Sequence, residues 1–246
     1  VLLLLTFYLY QKNRQISSGI IFAFAMLLKP IFGFFLLFFF LKNQWKLVFI
    51  SIGAGLTIFL IFSLLFPQKQ FGTEYYVFSF VPHLLNPSGR EIYYNQGIIG
   101  FVARLMPNLF LRVGVDALYS VLLLTFLYLE RKKQHNYVFS LFLISLVLID
   151  TLSWQHHFVF LIFPFLFIGK RLLKSGTLLE KTLLICSYFL ISGNIKNPSI
   201  FASFPSSLVL SHVFYGAIIL FWLVISNRNI SGKTTSLSAP QAKSKK

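Results

Sequence analysis

Between Gln134 and Gly169 the chain runs for 36 residues without a lysine or arginine. Basic clusters bound this run on both sides, Arg131-Lys132-Lys133 before it and Lys170, Arg171 and Lys174 after it. A single helix of that length would measure about 54 Å, against a bilayer hydrocarbon core of roughly 30 Å. Positive residues flanking membrane segments stay on the cytoplasmic side, so one crossing would strand one cluster on the wrong face. Two short helices with both ends inside satisfy the rule. The turn between them then carries Ser153-Trp154-Gln155-His156-His157 toward the far face. Ionisable groups at such depth are costly, which makes them candidates for function.

The rest of the chain agrees with a membrane setting. Hydrophobic residues make up 57% and charged residues 11%, far less charge than a soluble domain carries. Continuous apolar runs exclude a membrane β-barrel, whose strands alternate. The net charge of +16 is a topology signal and not a nucleic-acid footprint. On the topology below, 16 of the 22 Lys and Arg fall on inner loops and tail, 5 on outer segments, and Lys29 within the membrane. The single Cys186 excludes a disulfide framework and a Cys metal site. The chain opens at Val1 inside an apolar run, without Met or a basic leader. This reads as a truncated helix, so the chain is expected to be the C-terminal part of a longer protein.

Residues 1–10 end a helix that exits to the cytoplasm at Gln11-Lys12-Asn13-Arg14. Residues 15–41 have basic flanks on both sides and Lys29-Pro30 in the middle, and Pro breaks a helix there. Two short arms, 15–28 and 31–41, form either a shallow hairpin with Lys29 at its tip or one kinked crossing. Residues 46–66 cross outward, 67–108 make the main outer loop, and 109–129 cross back. The histidine hairpin fills 137–169, residues 177–193 cross outward and 208–226 return. The Lys/Ser/Thr-rich tail, 231–246, is expected to be disordered, basic and cytoplasmic.

The residues able to carry chemistry are few. His156 and His157 are adjacent, so on a regular helix they point about 100° apart and one of them faces a given site. A neutral imidazole can act as a base, and an imidazolium can bind a phosphate. The alternative is that Trp154 and the histidines decorate a membrane–water boundary. Lys29 cannot snorkel easily and needs an anion or water, unless a shallow hairpin lets it reach lipid phosphates. If Asn95 to Arg104 is helical, Gln96, Gly100 and Arg104 share one face, with Asn95 as cap. That stripe suits a phosphate and a sugar hydroxyl, or else Arg104 anchors a surface helix. Tyr93-Tyr94 can stack on a sugar or sit at the interface. Asp150 needs a partner, Lys29 or a histidine.

These segments together resemble glycosyltransferase family 87. The resemblance rests on Leu28-Lys29-Pro30 with a basic-Trp exit from Lys42 to Lys46, then Asn95-Gln96 to Arg104, then Ser153-Trp154-Gln155-His156-His157 with Pro164 downstream. It covers roughly residues 10–170. It implies a GT-C type fold, a polyprenyl-phosphate sugar donor, a site at the outer membrane face, and inverting transfer to a hydroxyl. It also implies that His156 or His157 lies in the active site. Members carry an acidic residue in a first outer loop, proposed as catalytic base, ahead of every segment seen here. The base is therefore expected in a preceding segment. The Gln before the histidines stands where the family often has an acidic residue.

The sequence thus predicts an all-α, polytopic transmembrane helical bundle with short-helix hairpins around an outward-facing cavity. Its domains are a GT-C-like membrane domain over 1–230, without its N-terminal helices, and the tail. The expected function is transfer of a hexose, mannose by the resemblance, from a polyprenyl-phosphate donor to an envelope glycolipid or glycan. Lys29 and Arg104 would hold the donor phosphate, Asn95 and Gln96 the sugar hydroxyls, and Trp154 would line the site. His156 or His157 would act at the phosphate or orient the acceptor. No cofactor is called for, a divalent metal being left open, and the partners are the lipid donor, the acceptor and the bilayer, not nucleic acid. The location is the inner (plasma) membrane. The rival reading is a transporter or flippase for a lipid-linked anion, using the same cations in a cavity. That class shows paired broken helices in repeated halves, and the sequence has no repeat.

Overall fold

The computed structural model of the protein describes residues 1–65, 93–106, 108–150, 153–201, 203 and 205–228. The described residues form an all-α membrane bundle. In chain order the helices are α1 (Leu2–Gln11), α2 (Gln15–Leu28), α3 (Phe34–Leu41), α4 (Trp45–Leu65) and α5 (Ile98–Leu105). Then come α6 (Leu109–Glu130), α7 (His135–Ile149), α8 (Ile162–Ser175), α9 (Leu178–Ser192) and α10 (His212–Ser226). Short 3₁₀ helices at Pro30–Gly33, Gln155–Leu161, Pro198–Phe201 and Ser206–Ser211 fill several of the joints.

Among the described residues three helical stretches are long and apolar enough to cross a bilayer: Trp45–Leu65, Phe110–Glu130 and Ser206–Ser226. The crossing expected over 177–193 is shorter than that. α9 has 15 residues, about 22 Å at helical rise, because Gly176 and Gly193 delimit it. Most of the expected outer loop, 66–92, and the tail from 229 lie outside the described residues.

The two turns that begin and end the Lys29 segment share one local design. Asn13 and Asn43 sit at φ 57° and 56°, the left-handed region that Asn tolerates better than most residues. In each, the following amide closes the helix end: Arg14 N–H donates to Leu9 O at 3.0 Å and Gln44 N–H to Phe39 O at 2.9 Å. Gln15 Nε2 donates to Gln44 Oε1 at 2.9 Å, so the starts of α2 and α4 lie side by side. Farther along, a Cβ at Gly19 would meet Ile50 at 2.7 Å, and one at Gly55 would lie 3.9 Å from Ala23. α2 and α4 therefore run parallel, and the intervening α3 returns to the starting level. Residues 15–41 form the hairpin and not the kinked crossing.

The histidine segment closes in the same way. At its start Gln11 Nε2 donates to Asn136 Oδ1 at 2.5 Å, and Lys42 Nζ to Lys133 O at 2.6 Å. At its finish Arg171 donates to Asn227 O, Asn227 Nδ2 donates to Glu180 Oε1 at 3.0 Å, and Arg228 pairs with Glu130 at 3.8 Å. The bonds through Glu130 bring both basic clusters to one end of the bundle. α7, the first arm, is buried at every position from Tyr137 to Leu148 and forms the central post of the core. Its apolar residues lie on all faces, as a helix walled in by other helices requires. Phe7 stacks on Phe139 at 3.7 Å between centroids, and Phe38 packs edge-on to Phe142 at 5.4 Å.

Candidate active site at the hairpin tips

The tips of the two hairpins meet at the end opposite the basic turns. Pro30 stops α2, and Lys29 takes an extended conformation (φ −147°, ψ 96°) before the 3₁₀ turn. Its ammonium lies over the Phe160 ring, 5.2 Å from the centroid, and Phe32 packs edge-on to the same ring at 5.1 Å. The lysine of one tip is thus seated on the aromatic of the other. Asp150 ends α7 in an extended conformation (φ −60°, ψ 124°). Its Oδ2 lies 3.2 Å from His157 Nδ1, with both side chains 12% exposed. A carboxylate only accepts, so Nδ1–H donates and the pair fixes the ring and its tautomer. Asp150 also acts electrostatically on Lys29, so an acid, a base and a cation share one corner.

His156 stands apart from this pair. The stretch Gln155–Leu161 is a 3₁₀ helix, not the regular α-helix expected, so successive side chains diverge by about 120°. The two imidazole planes are 87° apart with centroids 4.5 Å from each other. His157 turns inward to Asp150, whereas His156 is exposed at the tip, edge-on to Trp154 at 5.6 Å. Partial desolvation, then the nearby His157 and Lys29, push the His156 pKa below its ordinary value. A neutral imidazole there at neutral pH can accept a proton.

Asn95, Gln96 and Arg104 form a second cluster, joined to the first by backbone. Asn95 and Trp154 make an isolated antiparallel bridge, and Gln96 N–H donates to Ser153 O at 2.8 Å. Asn95 Oδ1 accepts from Ser153 N–H at 3.2 Å and Gly97 N–H at 3.4 Å. Gln96 Nε2 donates to Tyr93 O at 2.6 Å and Leu210 O at 2.7 Å. Both side chains are fully buried. The cap of α5 is Gly97, not Asn95 as the sequence suggested, because Asn95 is engaged in pairing with the histidine segment. Arg104 donates from Nε to Ser211 Oγ at 2.8 Å and from Nη2 to Asn95 O at 3.1 Å, tying α5 to the start of α10.

A cavity of about 830 Å³ opens beside the tip. Tyr94, Trp154, Gln155 and His156 line one end, and α8 and α9 form the rest of its wall. Of the seven residues singled out by sequence, Trp154 and His156 line this cavity, His157 adjoins His156 outside the lining, Lys29 lies over Phe160, and Asn95, Gln96 and Arg104 brace the Trp154 segment. Sequence reasoning did not find Phe160, Ser211 or His212, and it gave Ser153 no role of its own. Ser153 and Ser211 are fully buried, and His212 reaches Leu190 O through Nδ1 at 2.6 Å and Tyr93 Oη through Nε2 at 3.4 Å. These roles come from contacts between distant residues, and no local spacing signals them. Among the described residues no three ligand-type side chains converge as a metal site.

No curated protein and no solved structure matches the chain. The family model for glycosyltransferase family 87 matches residues 1–174, a stretch that holds both hairpins and all seven of these residues. With that match over most of its length, and with its all-helical membrane bundle, the chain belongs to glycosyltransferase family 87.

Proposed function

We propose that the protein transfers a hexose, mannose by family likeness, from a polyprenyl-phosphate donor to an envelope glycolipid or glycan. The reaction takes place at the outer face of the inner membrane, with the basic turns and the tail in the cytoplasm. One observation carries this reading: Lys29, Asp150, His157 and His156 gather at the end opposite the basic turns, where His156 lines a cavity. A transfer of this kind breaks the bond from sugar C1 to a phosphate oxygen. The electron pair leaves with the polyprenyl phosphate. The acceptor oxygen bonds to C1 from the opposite face, and its proton passes to a base.

The phosphate gains charge as the sugar leaves, so a fixed cation beside it favours the transition state over the ground state. Lys29 is that cation, with its ammonium over the Phe160 ring and its charge balanced by Asp150 in the resting state. His156 meets the substrate and accepts or relays a proton, or hydrogen-bonds the phosphate. His157, held through Nδ1 by Asp150, positions the tip. Asn95, Gln96 and Arg104 hold the Trp154 strand against the outer segment, and Trp154 and Tyr94 offer exposed rings to a sugar.

The test uses the full-length protein in membranes, with a polyprenyl-phosphate-mannose donor and the protein level controlled. His156→Ala is expected to lower turnover by roughly 10²–10⁴ if the ring moves a proton. The wild-type rate should then hold through the ordinary imidazole range and fall only at more acidic pH, because a base whose pKa is lowered stays active until it protonates. That acid limb should be missing in His156→Ala. Wild-type turnover in both His156→Ala and His157→Ala would remove the histidines from the mechanism.

A further inference from the structure

We propose that the cleft between α8 and α9 holds the hydrocarbon chain of the lipid-linked donor and makes transfer selective for chain length. This rests on the reading of the protein as a transferase using a lipid-linked sugar. α8 and α9 are joined through Gly176 and Thr177, so they run antiparallel, α8 ending and α9 beginning at the basic end. They touch where a Cβ at Gly169 would lie 3.6 Å from a Leu184 methyl. Toward the site they separate. There Ile162, Phe165 and Leu166 form an i, i+3, i+4 stripe on α8, facing Tyr188, Ile191 and Ser192 in the same spacing on α9. Phe165 meets Tyr188 edge-on at 6.0 Å, which bridges the stripes.

The cleft has a closed floor and an open side. Phe158 and Ile191 are buried beneath it, whereas Ile162, Leu166 and Tyr188 are more than half exposed along its walls. Its volume of about 830 Å³ falls in the range of roughly 300–1,000 Å³ typical of small-molecule sites. In a bilayer such an opening fills with hydrocarbon. The polar end decides which hydrocarbon. At the tip, His156 and the exposed rings of Trp154 and Tyr94 line the same cavity as the α8 and α9 stripes. An apolar wall that ends on an imidazole and two aromatic rings matches a single chain whose anion and sugar sit at the tip. Asn194 and Ser192, on the same lining, add polar partners at that end. α9 lies beyond the segment that matches the family, so one wall of the cleft is built by residues outside that match.

Two measurements on the full-length protein test this. In the first, a polyprenyl phosphate carrying a photoreactive group at the far end of its chain is cross-linked in membranes. Labelled peptides should contain residues 158–166 or 184–192, and unlabelled polyprenyl phosphate should compete while phospholipid does not. Labelling elsewhere, or equal competition by phospholipid, overturns the proposal. In the second, Leu166→Trp fills the cleft away from His156. It should lower kcat/KM for a long-chain donor by about tenfold or more, while a short-chain donor with the same head stays within about twofold. Equal losses on both donors, or none, also overturn it. A wild-type protein that is labelled at the cleft but transfers sugar from no lipid-phosphate donor would refute the transferase reading and leave the chain site standing.

Discussion

Lys29 shows how a single residue can be read from sequence and then given a reason by the fold. A lysine 13 residues from the next basic residue in an apolar run cannot reach water along a helix. What the sequence could not supply was its seat. The Phe160 ring lies 131 positions away, and no periodicity links the two. The seat makes a prediction. Lys29→Ala should reduce transfer by at least about tenfold, the effect of losing one charge contact worth about 1.4 kcal/mol in the transition state. Lys29→Arg should retain more activity than Ala, yet fall short of wild type, because a planar fork does not fill the place of a compact ammonium. Steady-state turnover at matched expression measures both, and an unimpaired Lys29→Ala would place this lysine at the interface without a part in transfer. The histidines were legible only in part. Their position in an apolar run made them candidates, but their different surroundings followed from Asp150, which pairs with His157 and leaves His156 at the cavity.

At the scale of elements, the sequence located breaks better than it located pairings. The Lys29-Pro30 interruption, the Asn-centred turns and the basic exits all lie where local chemistry put them. The 3₁₀ form of Gln155–Leu161 was not visible, since the same residues serve an α-helix equally well. Nor was the bridge from Asn95 to Trp154, 59 positions apart, because one pair of extended residues leaves no alternation to read. α5 depends on that bridge. A Cβ at Gly100 would stand 2.1 Å from Asn95 O and 2.8 Å from its carbonyl carbon, both rigid backbone atoms. Gly100→Ala should therefore destabilise the protein by about 1–3 kcal/mol through overpacking, and transfer should fall with it as the Trp154 strand shifts. Gly114→Ala is the control, since a Cβ there meets nothing within 4 Å, and alanine gains roughly 0.5–1 kcal/mol in helix preference. Thermal unfolding in detergent separates them: a lower Tm for the first and an unchanged or higher one for the second. Equal Tm values would mean that α5 can slide to make room.

At the scale of the whole molecule, two hairpins explain how a cluster of ionisable groups can be built at one end of an apolar bundle. Each hairpin enters and leaves through basic turns at one end and meets the other by its tip at the opposite end. The ionisable groups are thereby brought together far from the cations that fix orientation. The charge pattern made this arrangement legible, because a run of 36 residues bounded twice by basic clusters admits few paths. The contacts from Lys42 to Lys133, and from Arg171 through Asn227 and Arg228 to Glu130, supply the geometry. Labelling in intact cells checks it against a membrane. With the exposed Cys186 replaced by Ser, Lys132→Cys and Lys174→Cys should both resist an impermeant maleimide until the membrane is opened. Tyr94→Cys, at the cavity edge, should react from outside without that step. Opposite accessibility of positions 132 and 174 would break the histidine hairpin into a crossing. Early reaction of both, with Tyr94→Cys protected, would invert the molecule and put the candidate site on the cytoplasmic face.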